Sequence, residues 1–163
     1  HGSIIGTVQL KVGNREPDKS VKQLLHLEAE RKLSEVEKLK EFGNTVQKLR
    51  EKTQSLVKEW KYENASVAGY GAARSGPTLI SQLGLTGVID YILDDHAQKV
   101  GKYSSGDGLE ILPTSELCKR MPDYTVILAW VHSQKIIQQN QDYLEKGGKF
   151  VVLCPEITII SND

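Results

Sequence analysis

Ser66-Val67-Ala68-Gly69-Tyr70-Gly71-Ala72-Ala73-Arg74-Ser75-Gly76 passes from a short apolar run into a glycine-rich turn, and its reading decides the fold. Residues 66–70 predict a strand. Pro77 to Leu83 predicts a helix, with proline near the first turn, where its missing N–H is not needed. A strand that enters a helix through glycines lets the backbone come close to a ligand, and the free N–H groups of the helix start attract phosphate. Arg74 and Ser75 add donors that suit an anion. Asp94 follows at the end of the next predicted strand, where the acid of a dinucleotide fold accepts hydrogen bonds from a ribose. The third glycine of a G-x-G-x-x-G fingerprint would fall at Arg74. The spacing therefore points to a ligand loop, and leaves open a tight strand-to-helix turn that binds nothing.

Downstream, VIDYIL (88–93) predicts a second strand and LEIL (109–112) a short third one. Ser115 to Met121 predicts a short helix capped by Thr114 or Ser115. YTVILAW (124–130) is apolar throughout, as a strand buried on both faces should be. Ser133 to Glu145 predicts one helix with Ile136, Ile137, Tyr143 and Leu144 inward, ended by Gly147-Gly148. KFVVLC (149–154) predicts another strand, and ITII (157–160) extends or follows it. This alternation predicts an α/β fold: a Rossmann-like, mostly parallel sheet with helices on both faces. Ligands of such sheets bind at the carboxyl ends of the strands. Trp130 and His132 follow a buried strand and are expected at that same edge, and Tyr103 with Ser104-Ser105-Gly106 forms a loop that could cover it.

Upstream, IIGTVQLKV (4–12) predicts a short strand and Gly13 to Pro17 a turn. Asp18 can cap a first helix that carries Val21, Leu24, Leu25 and Leu27. Ser34 with Glu37 has the spacing of a capping box for a second helix. Its apolar positions, Val36, Leu39, Phe42, Val46, Leu49, Thr53, Leu56 and Trp60, advance in steps of three and four and mark one stripe. Gly43-Asn44 interrupts it and is expected to loosen or bend the helix. The stripe suits packing on its own domain or on another one better than a dimeric coiled coil. The expected organisation is residues 1–17, a helical segment 18–64, and a Rossmann-like domain 65–163, with 18–163 forming one structural unit.

Lys plus Arg and Asp plus Glu number 21 each, so the formal net charge is zero and no global field draws nucleic acid or anionic membrane. No apolar stretch approaches the roughly 20 residues of a membrane span. Neither Cys118 nor Cys154 belongs to a CxxC pair, which suits reduced thiols in the cytoplasm, and no His/Cys cluster has metal-ligand spacing. The opening His1-Gly2-Ser3 lacks a methionine and reads as a tag remnant or a cut inside a longer protein. Asp94, Asp95 and His96 share one loop that suits a solvated turn better than an acid–base pair, and His26 is an ordinary helix-face histidine.

Four segments, taken in order and spacing, resemble a known family. GYGAARSG, IDYILDDHAQKVGKY, PDYTVILAW and YLEKGGKFVVLCPE are similar to the C-terminal domain of S-adenosylmethionine-dependent sugar C-methyltransferases, whose motifs include an Asp-rich strand end followed by K-x-G. HGSIIG resembles the junction that joins the methyltransferase core to this domain. The resemblance implies a parent with a zinc-binding N-terminal module and an S-adenosylmethionine domain, neither of them in this sequence. It implies a substrate-holding role toward a nucleotide-linked sugar. Gly69, Tyr70, Gly71 and Ala72 would line the loop, Arg74 and Ser75 would be polar donors, and His1 would be a base near the carbon to be methylated. Gly76 in the loop, Asp94 at its strand end and Trp130 at the sheet edge, taken from their placement in the sequence, complete the expected substrate contacts. The donor is expected to bind elsewhere, because Ala68 stands where its usual strand carries an acid. The implied partners are the sugar nucleotide and the protein's own methyltransferase core, with a homodimer possible and no nucleic acid or membrane. Two other classes compete: a stand-alone module for NAD or a similar ligand, and an interaction protein that dimerises through its helices.

Overall fold

A computed structural model of the chain describes residues 4–162; His1, and with it the assignment of a base, lies outside the described residues. The chain divides into two compact units, residues 1–43 and 44–163. The division falls inside the helical segment, at Gly43, and not at residues 17 or 64.

In the first unit the strand expected over 4–12 does not form. Ile4, Ile5, Val8, Leu10 and Val12 are exposed, and no described strand pairs with them. Alternating β-branched residues become a strand only when a neighbour supplies the ladder and covers one face. Helix α1 (Lys19–Glu30) starts as expected, with the Asp18 carboxylate accepting from the Ser20 N–H at 2.8 Å. Helix α2 (Val36–Glu63) begins later than the Ser34 box implies. The Lys38 and Leu39 N–H groups donate to the Glu35 carbonyl at 3.1 and 3.4 Å, so Glu35 takes the first helical bonds. Gly43-Asn44 does not break the helix.

In the second unit the last turns of α2 bury Thr53, Val57 and Trp60, with Leu49 and Leu56 packed beside them. Polar contacts fix this stretch to helix α3 (Gly76–Leu83). Gln54 Nε2 donates to the Leu83 and Gly84 carbonyls at 3.1 and 2.8 Å, and Arg50 donates to the Gln82 carbonyl at 2.9 Å. Those carbonyls sit at a helix end, where they have no partner of their own.

The strands are β1 (Val67–Tyr70), β2 (Tyr91–Asp94), β3 (Ile111–Pro113), β4 (Tyr124–Ile127), β5 (Lys149–Val152) and β6 (Thr158–Ile160). Their order is β3-β2-β1-β4-β5-β6, parallel except for β6, which runs antiparallel to β5. The order is that of a doubly wound dinucleotide fold. Side chains of successive strand residues point to opposite faces, so each strand feeds two layers. Val67, Ile92, Val126 and Val151 join α2 and α3 in one core; Ala68, Leu93, Ile127 and Phe150 join Leu117, Ile136, Tyr143 and Leu144 in the other.

The segment expected as one helix over 133–145 is two, α5 (Ser133–Gln139) and α6 (Gln141–Glu145), following the four-residue α4 (Leu117–Arg120). Asn140 divides them. Its amide Nδ2 donates to the Ile136 carbonyl at 2.7 Å and to Tyr70 Oη at 3.3 Å, the local competition with backbone bonding that asparagine favours. The Tyr143 hydroxyl is buried but satisfied: it donates to the Pro122 carbonyl at 2.8 Å and accepts from Thr125 at 3.0 Å. Burial pushes it up to about 12. No helix among the described residues is long and apolar enough to cross a membrane.

Candidate functional site

The strand order reverses between β1 and β4, and the loops that leave these two strands meet at the carboxyl edge of the sheet. That is the place where open α/β sheets take ligands. Gly71, the first residue after β1, has φ +89°, and a Cβ built on it would lie 2.5 Å from the Cβ of Ala129 in the loop after β4. Only glycine allows that backbone and that approach. Gly76, where a Cβ would stand 3.7 Å from Leu128, is under no such constraint.

Asp94 ends β2 and is 5% exposed. Its carboxylate accepts from the His96 N–H at 2.8 Å on Oδ1, and from the Ala72 N–H at 2.7 Å and Lys99 Nζ at 3.1 Å on Oδ2. Burial alone would raise this carboxyl. The hydrogen bonds from His96, Lys99 and Ala72, with the Lys99 charge, outweigh it and hold the group below the ordinary carboxylate range. Lys99 Nζ also donates to the Ala72 carbonyl at 3.0 Å.

Beside this cluster lies a cleft of about 140 Å³. Ile80, Ile92, Ile111 and Leu128 contribute apolar walls. Ala72 and Gly76 border it from the glycine loop, Lys99 from the β2–β3 connection, and Tyr103, Ser104 and Ser105 from the loop expected to cover the site. That loop is tied down: the Ser104 N–H donates to the Leu109 carbonyl at 2.8 Å, and the Leu109 N–H donates to Ser104 Oγ at 3.0 Å.

The expected site residues separate into groups. Ala72 and Gly76 border the cleft. Arg74 and Ser75 are exposed in the turn just before α3, and Arg74 makes no ion pair among the described residues. Gly69 lies inside β1 against Leu128. Tyr70 faces the other layer, where its ring meets Phe150 edge-on at 6.3 Å. Trp130 is half-buried in a single turn of 3-10 helix after β4, next to exposed His132, and neither borders the cleft. Asp95 and His96 are exposed. Lys99 borders the cleft as well, and its only signal in the sequence is the K-x-G motif at 99–101. Both cysteines are free, and burial raises the Cys154 thiol. Among the described residues no group of three His, Cys, Asp or Glu could hold a metal ion.

The C-methyltransferase C-terminal domain family matches this sequence over residues 1–155. The chain belongs to that family. The C-methyltransferase NovU of Streptomyces niveus is 30% identical over 161 residues, which are 98% of this C-methyltransferase C-terminal domain and 38% of that protein. The domain thus spans about two fifths of that relative's length. A crystal structure of UDP-D-quinovosamine 4-dehydrogenase from Vibrio fischeri aligns with a TM-score of 0.44 and 16% identity, over 61% of this chain and 95% of that one.

Proposed function

We propose that this domain is the substrate-side part of a C-methyltransferase that acts on a nucleotide-linked deoxysugar or a related intermediate. The observation that carries the reading is three features at the carboxyl ends of the strands: the glycine loop after β1, the cleft that this loop, α3 and the β2–β3 connection with Lys99 border, and in the same loop the exposed Arg74, which makes no ion pair among the described residues. A phosphate-bearing substrate needs fixed cations, and arginine matches phosphate with a planar fork.

S-adenosylmethionine does not fit this loop. Ala68 is fully buried where that cofactor's usual strand carries an acid, and the Asp94 carboxylate is taken up by protein donors. The proposal therefore assigns the methyl donor, and any zinc, to the rest of the enzyme, and gives this chain the tasks of holding and orienting the substrate. The alternative of an NAD module is weakened by the same occupied carboxylate, which a ribose would need.

Calorimetric titration tests the reading. A thymidine-diphosphate sugar should bind, NAD and S-adenosylmethionine should not, and Arg74→Ala should weaken the sugar nucleotide about tenfold or more. Binding of NAD in its place, or a variant that binds like the parent, would overturn it.

The first unit supports a partner as well. Val21, Leu25, Leu33, Val36, Leu39 and Phe42 are all exposed there, and this reading takes them as apolar surface that a partner covers. The proposed occupant is the rest of the enzyme, since the aligned residues are only 38% of the relative NovU. Light scattering on this chain should then give a monomer. A stable dimer would favour the competing reading, in which the helices pair with a second copy.

A further inference from the structure

Four amides of the glycine loop, those of Gly71, Ala72, Ala73 and Gly76, are hydrogen-bonded within the protein before any ligand arrives. The Gly71 N–H donates to the Leu93 carbonyl at 2.7 Å, the Ala73 N–H to the Gly71 carbonyl at 2.7 Å, and the Gly76 N–H to the Ala73 carbonyl at 2.9 Å. The Ala72 N–H donates to Asp94 Oδ2 at 2.7 Å. In a dinucleotide fold such amides face the pyrophosphate, and the acid at the end of the second strand reaches outward to a ribose. Here the acid turns inward instead.

Both backbone polar groups of Ala72 end on a charged side chain. Its N–H meets the Asp94 carboxylate, its carbonyl meets Lys99 Nζ at 3.0 Å, and the two side chains meet each other at 3.1 Å. Bonds to charged partners are stronger than neutral ones. The carboxylate also puts negative charge beside the amides that a pyrophosphate would need, and like charges repel there. An ammonium has three donors. Two are taken in the latch, which leaves the third for a ligand in the cleft that Lys99 borders.

We infer that Asp94 and Lys99 are positioning residues that determine specificity: together they latch the glycine loop closed against dinucleotides and hold it in one shape for the ligand that meets Arg74. The exclusion of dinucleotides stands by itself; the second part rests on the substrate reading given above.

Amide hydrogen exchange on the full chain tests the latch without any ligand. Lys99→Met and Asp94→Asn should each speed exchange at Ala72 about tenfold or more, the loss of a charged hydrogen bond. The amides of Val126 and Phe150, in the central strands, should be unchanged and so report that the variants are folded. Lys99→Arg, which can remake both bonds, should restore most of the protection. Ala72 exchange equal to that of the parent in both variants, or a loss shared equally with Val126 and Phe150, would overturn the latch. So would NAD binding to the unmodified chain. Failure of a thymidine-diphosphate sugar to bind would remove the substrate reading alone, and the exchange result would still decide the latch.

Discussion

Gly71→Ala is expected to lower the unfolding free energy by roughly 2–5 kcal/mol, the sum of a strained positive φ and an overpacked contact. At φ +89° a side chain is strained whatever the space around it, and here the space is also filled: the new Cβ would stand 2.5 Å from Ala129 Cβ and 3.3 Å from the Ala129 backbone nitrogen. Backbone cannot yield as a flexible side-chain end can, so the loops after β1 and β4 would have to part. Gly76→Ala is the control. It lies five residues on in the same motif, begins a helix, and offers its Cβ an ordinary contact with Leu128 at 3.7 Å. It should stay within about 0.5 kcal/mol of the parent or gain slightly. Urea unfolding of the two variants measures the difference. A Gly71→Ala protein as stable as Gly76→Ala would mean that the two loops do not meet as described.

Trp60→Ala should cost about 3–5 kcal/mol. Trp60 is 2% exposed, and its ring lies 5.1 Å from that of Tyr124 at the start of β4. Its removal empties the core between α2 and the sheet and also loses the aromatic pair, itself worth about 0.5–1.5 kcal/mol. Phe42 is an aromatic residue on the same helix, in register with the same apolar stripe, yet it is 70% exposed. Phe42→Ala should change the unfolding of the second unit by no more than about 0.5 kcal/mol. Equal effects would contradict the burial of one and the exposure of the other, and with it the division of the helix between two units.

The stripe on α2 shows where sequence reading runs out. Steps of three and four from Val36 to Trp60 correctly mark one face of a helix, because the period follows from backbone geometry. The pattern cannot tell which part of that face meets a core. Only the stretch from Leu49 onward does so in the second unit, where α3 and the sheet offer apolar partners and Arg50 and Gln54 find the helix-end carbonyls of α3. Likewise the break at Asn140 depends on an asparagine that can bond back to Ile136 while reaching Tyr70, seventy residues away in the chain.

The site was legible to the same extent. The glycine turn, its place between a strand and a helix, and the loop at Tyr103–Ser105 could all be read, since glycines, prolines and apolar runs state local backbone preference directly. The family could also be read, from four segments whose order and spacing no single motif carries. The direction of Asp94 could not. The sequence places an acid at the end of β2, but whether its carboxylate faces a ligand or the chain depends on a lysine five residues on and on an amide twenty-two residues back.

By itself, then, the sequence determined the alternation of strands and helices, the two-sided burial of β4, and the position of the loop, because each follows from periodicity and from backbone freedom at a few residues. The tertiary structure alone decided the order of the strands, the reversal of β6, the fate of each half of α2, and the inward turn of Asp94. Those depend on which distant groups a face or a charge meets, and a local pattern states a residue's preference for burial or for a partner without naming the partner.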